Sequence, residues 1–105
     1  MKPEMIGPHS QLERLVNGNK LTAGMYVRVH GKNLILGRRE SFGPEGVEEN
    51  DDRVRLTQRN QLSYALSVKR YTGRWQRTPF AGSLEEVFEV MLVVMQHLLQ
   101  PIAPV

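Results

Sequence analysis

The chain has 105 residues, room for one hydrophobic core and not two. It contains no cysteine, which excludes disulfides, thiolate metal sites and cysteine nucleophiles and fits a reducing compartment. Its net charge of +3 is mild but segregated: residues 41–52 carry five acids and no base, and residues 53–82 carry seven bases and no acid. That segregation concerns partners and surface field rather than fold.

Residues 1–9 hold Pro3, Gly7 and Pro8 and read as a flexible arm preceding one domain over residues 10–105. With Lys2 and Glu4 and no apolar core, this segment is not a secretory signal, and the longest apolar run, residues 90–95, is too short to span a bilayer. The expectation is a cytoplasmic protein with no membrane contact. Ser10 and Glu13 form a capping box for a short helix with Leu12, Leu15 and Val16 on one face, stopped at Asn17 and Gly18.

From residue 25 the period becomes two. Met25, Val27 and Val29 alternate with Tyr26, Arg28 and His30, and Gly31 and Lys32 turn into a second strand over residues 33–39. Leu34 and Leu36 share one face there, while Ile35 makes the other face apolar as well, as a central strand requires. Glycines, Pro44 and the acids Glu45, Glu48, Glu49, Asp51 and Asp52 make residues 41–52 a surface loop.

Residues 53–59 set Val54 and Leu56 against Arg53, Arg55, Thr57 and Arg59. Leu62, Tyr64, Leu66 and Val68 then form one face of a strand, with Ser63, Ala65, Ser67, Lys69 and Tyr71 on the other. Thr72 and Gly73 form a hairpin turn, and residues 74–78 pair back until Pro79 ends the ladder. Ser83 and Glu86 make a second capping box, opening a helix to about Gln100 whose stripe is Leu84, Val87, Phe88, Met91, Val94, Met95 and Leu98. The predicted class is α+β: an antiparallel four- to five-stranded meander packed on a C-terminal amphipathic helix, with a short N-terminal helix.

Two surfaces stand out as candidate sites. On the sheet's polar face, Arg28, Arg53, Arg55, Arg59, Lys69 and Arg70 would position phosphates, and Tyr26, Tyr71 and Trp75 would stack bases, extended by Arg74 and Arg77. Strict alternation sends Arg70 inward unless it lies beyond the core edge. A polar face with buried arginine stems is also what any uncovered sheet needs, and such a face equally suits a protein partner.

The C-terminal helix is the second. Val90, Leu92, Val93 and Leu99 make its middle apolar nearly all round, which points to a homodimer interface unless residues 10–23 and Ile102 cover it.

His9, His30 and His97 have no ligand spacing, and the acidic stretch lacks the pattern of a calcium loop, so no metal and no other cofactor is expected. No nucleophile elbow, phosphate loop or dinucleotide fingerprint occurs, so no enzyme is expected either. The sequence reads as a small non-enzymatic binding module for single-stranded nucleic acid. The alternative is a dimeric protein-interaction or adaptor domain with no nucleic-acid role.

Overall fold

A computed structural model of the chain describes residues 3–42 and 44–100. In chain order it contains α1 (Pro3–Asn17), β1 (Tyr26–His30), β2 (Asn33–Phe42), β3 (Val47–Asn60), β4 (Ser63–Lys69), β5 (Trp75–Gly82), α2 (Leu84–Val94) and α3 (Gln96–Leu99). The five strands neighbour one another in that order, every pair antiparallel, so the α+β meander is present with its fifth strand.

Two apolar rungs explain the pairing. Val29, Leu34, Leu56 and Leu66 stand opposite one another across four strands, as do Val27, Leu36, Val54 and Val68. This inner face is covered by Met5, Leu12 and Val16 of α1 and by Leu84, Val87, Phe88 and Met91 of α2, with Met95 and Leu99 closing one end. Each fully buried leucine contributes about 2 kcal/mol on a transfer scale, so a register slip that turned either rung outward would be strongly disfavoured.

Several expectations need correction. The first helix begins at Pro3, not Ser10, so residues 3–9 are helical rather than a loose arm. Met5 is fully buried and His9 Nε2 lies 2.8 Å from the Val27 carbonyl on the edge of β1. These tertiary contacts outweigh the donor that Pro8 removes, and the carbonyl it orphans belongs to exposed Glu4, within reach of water.

Residues 47–52 are strand, not loop: β2 and β3 continue as a hairpin arm in which Ser41 pairs with Glu48 and Phe42 with Val47. No core lies over this arm, so its sequence lacks the alternation that marks the other strands. Likewise Pro79 does not end β5, which runs on to Gly82. Leu62, expected inside, is 82% exposed in the turn before β4. The C-terminal helix is interrupted at Met95 (φ −120°, ψ 28°), and Val94, expected in the buried stripe, is 50% exposed.

A register shift between Leu36 and Gly37 sets the faces of β3. Leu36 pairs with Val54 but Gly37 with Asp52, so Arg53 is an extra residue in the ladder. Asp52 therefore joins Gly37 and Tyr26 on the outer face, while Arg53 turns to the helix side.

Candidate nucleic-acid interface

The outer face is organised by one rung that crosses all five strands: Arg28, Ile35, Arg55, Ser67 and Arg77. Ile35 is 3% exposed yet lies outside the core cluster, because it sits between Arg28 and Arg55, whose aliphatic stems cover it. The next rung is His30, Asn33, Thr57, Ala65 and Ala81.

Beside these rungs β5 leaves its ladder. Ala65 pairs with Ala81 and Ser67 with Arg77, so Thr78, Pro79 and Phe80 oppose Leu66 alone. The bulge tolerates Pro79 on an edge strand and is held by Thr78, whose hydroxyl donates to the Leu66 carbonyl at 2.8 Å. Together with the outer rungs it frames a concavity of about 520 Å³.

The chemistry of that concavity is one-sided. Arg55, Arg59 and Arg77 line it and no carboxylate does. Three other concavities each contain at least one acid: Asp51 and Asp52 in one, Glu4 in the next, Glu85 and Glu89 in the third. None of the three arginines forms an ion pair among the described residues. The Arg55 guanidinium lies 4.9 Å from the centroid of the Trp75 ring, which Lys69 also approaches at 5.9 Å. The Arg55 Nε is buried and has no acceptor among the described residues, a costly condition for a charged donor.

The other expected contact residues are placed differently. Tyr26 and Arg28 are on the outer face but are tied to Asp52: the Tyr26 hydroxyl and Arg28 Nη2 both donate to its carboxylate, and Arg28 Nε does so at 3.0 Å. Burial raises the Asp52 carboxyl, but the bonds from Arg28 and Tyr26 outweigh it and hold the group below its ordinary value. Burial and the same carboxylate push the Tyr26 phenol up. Neither residue is free to meet a ligand without breaking this triad.

Arg53 is a correction. It is 7% exposed on the helix side, donating to Glu40 at 2.8 Å, to Asp51 at 3.1 Å and to the carbonyls of Leu98 and Gln100. Neighbouring Arg38 donates to the Leu99, Ala23 and Leu21 carbonyls. The pair anchors the end of α3, and Arg53 cannot position a phosphate from there.

Arg70, Tyr71 and Arg74 lie together in the exposed turn between β4 and β5, with Tyr71 94% exposed, so the turn rather than alternation sets their direction. Of the four helix residues expected at a dimer interface, Leu99 is fully buried in the chain's own core, and Val90 and Leu92 pack partly against it. Val93 alone of the four is largely exposed, at 75%.

Asn33, Thr57 and Ser67 were not singled out by the sequence. Their only signal was membership of the polar half of each strand. Asn33 accepts from the Thr57 hydroxyl at 2.6 Å through Oδ1, which leaves its amide N–H groups available. No three His, Asp or Glu side chains converge among the described residues in a way that would hold a metal, and no described helix is long and apolar enough to cross a membrane. Comparison with known proteins gives no relative: no family model matches the chain, and no curated protein or solved structure does.

Proposed function

We propose that the chain is a small non-enzymatic binding module, working in the cytoplasm, whose outer sheet face binds single-stranded nucleic acid. The observation that carries this reading is the concavity lined by Arg55, Arg59 and Arg77 without an acid, next to Trp75 and Lys69. Unpaired arginines on a sheet suit a phosphate backbone, and an indole at their side suits an unstacked base. The absence of cysteine supports a reducing compartment.

Fluorescence anisotropy with short single-stranded oligonucleotides tests this directly. Binding should be micromolar or weaker at low salt, with log K falling against log salt at a slope of about −2, since about three phosphates each contribute about −0.7. Absence of binding to any oligonucleotide at low salt overturns the reading.

A second copy of the chain is the other partner that an observation favours. Val93 and Val94 are 75% and 50% exposed at the end of α2, beside the half-covered Val90 and Leu92. A solution mass of two chains that falls to one in Val93→Glu would support it. A monomer at high micromolar concentration would exclude it.

A further inference from the structure

We infer that the concavity between β3, β4 and β5 is a subsite for a terminal phosphate monoester, which makes the end of a strand the feature recognised. This inference rests on the nucleic-acid reading and narrows it. Every free polar side chain on the lining can donate, and only the Ser67 hydroxyl among them can also accept. Three guanidinium groups have no ion-pair partner among the described residues, the Asn33 amide N–H groups are unused, and the Ser67 hydroxyl makes no side-chain hydrogen bond there. The other hydroxyls are engaged: Thr57 donates to Asn33, and Thr78 donates to the Leu66 carbonyl while accepting from Phe80 N–H.

Such a set is complementary to an acceptor-only group of high charge. A phosphate monoester offers three terminal oxygens and nearly two charges at neutral pH. A backbone diester offers two such oxygens and one charge, a poorer match to the same donors. The volume, about 520 Å³, falls in the range of sites that hold small ligands and accommodates a phosphate with its sugar. The walls matter as well. The β5 bulge places Thr78, Pro79 and Phe80 along one side of the lining, so the site is bounded at the sheet edge. Arg55 supplies the last element: among the described residues its Nε–H has no acceptor and its guanidinium, resting on Trp75, has no carboxylate partner. A phosphate oxygen drawing that group into the concavity would provide the missing acceptor and uncover the indole face for the adjoining base.

The test compares two single strands of identical sequence, one with a 5′-phosphate and one with a 5′-hydroxyl, by anisotropy at low salt, with the 3′-phosphorylated strand and a free nucleoside monophosphate as further arms. The strand phosphorylated at one end should bind about tenfold tighter than the unphosphorylated strand, the increment expected for one more charge-assisted contact set. Arg77→Ala should abolish that difference, and Arg14→Ala, on exposed α1 away from the sheet's outer face, should leave it intact. Equal affinity of all strands overturns the subsite while the sheet-face reading stands, and no binding by any strand overturns both. Nucleoside monophosphate binding as tightly as the phosphorylated strand supports the phosphate subsite but assigns it to free nucleotide, overturning strand-end recognition.

Discussion

Gly37 shows how one residue without a side chain orders a whole corner of the sheet. A Cβ at this position would come within 2.2 Å of the Asp51 carbonyl oxygen and 2.4 Å of the Tyr26 hydroxyl. The Tyr26 ring lies against this backbone and from there reaches Asp52, so the glycine is a condition of the Tyr26, Asp52 and Arg28 triad. Gly37→Ala should cost about 2–3 kcal/mol, as overpacking of a backbone contact does, read as a lower urea midpoint at unchanged slope. Asp52 adds a pH dependence. Its folded-state pKa is depressed, so its stabilisation is present above the unfolded value of about 3.9 and is lost as pH falls through the lower folded value. Asp52→Asn should therefore cost about 1–2 kcal/mol at neutral pH, a figure reduced for the partial exposure of Arg28. The gap between variant and parent should narrow in denaturant titrations as the pH falls below the unfolded value of about 3.9.

At this scale the sequence was only half informative. Alternation placed Arg55 and Lys69 on one face, where Trp75, expected as an extension of that surface, packs against both. It misplaced Arg53, because a bulge inserts one residue without any mark in the local pattern, and everything beyond it changes face.

The elements at the two ends of the chain are held by different means. α2 starts on a complete capping box: Ser83 Oγ accepts from the Glu86 N–H at 3.2 Å and Glu86 returns a bond to the Ser83 N–H at 3.0 Å. Bonding to the Ser83 backbone, then to its side chain, holds the Glu86 carboxyl below its ordinary value. Ser83→Ala should lower stability by about 1 kcal/mol, seen as a fall of several degrees, about 4–8 °C, in the thermal midpoint. α3, four residues long, has no side-chain cap and depends on Arg53 and Arg38, which take the Leu98, Leu99 and Gln100 carbonyls. Arg53→Ala removes the bonds that this buried side chain donates to Glu40, Asp51 and the Leu98 and Gln100 carbonyls and should cost about 2–3 kcal/mol. Oligonucleotide affinity of the folded fraction should be unchanged, a combination that a phosphate-contacting arginine would not give. Ser83 was legible in the sequence because a capping box is local. The break at Met95 was not, because no Gly or Pro marks it and the arginines that hold the carbonyls beyond it, Arg38 and Arg53, lie more than 40 residues away in the chain.

Across the whole molecule, charge is separated by architecture. The acids at positions 45, 48 and 49 belong to the projecting hairpin of β2 and β3, which helps give the molecule its 44 × 27 × 27 Å extents. Three arginines without an ion pair among the described residues, Arg55, Arg59 and Arg77, line the concavity where β3, β4 and β5 meet. Salt dependence should follow that division. Arg77→Ala should make the log-log salt slope of oligonucleotide binding shallower by about 0.7. Arg28→Ala should leave the slope close to the parent value, since Asp52 already neutralises that arginine. Equal effects of the two substitutions, measured by anisotropy across a salt series, would contradict the separation.

The antiparallel order of the strands, the cap of α2 and the side of the sheet to be buried were determined by the sequence alone, and the count of strands was narrowed to four or five. Periodicity, turn residues and caps are local signals, and a two-residue repeat of valine and leucine admits few pairings that bury it. What only the tertiary structure decided was which basic residues remain free. Bulges at Gly37 and in β5 re-aimed Asp52 and Arg53 and opened the concavity, and contacts distant in sequence neutralised Arg28 and buried Leu99. A side chain's availability depends on its partners across the fold, and those partners leave no trace in the residues beside it.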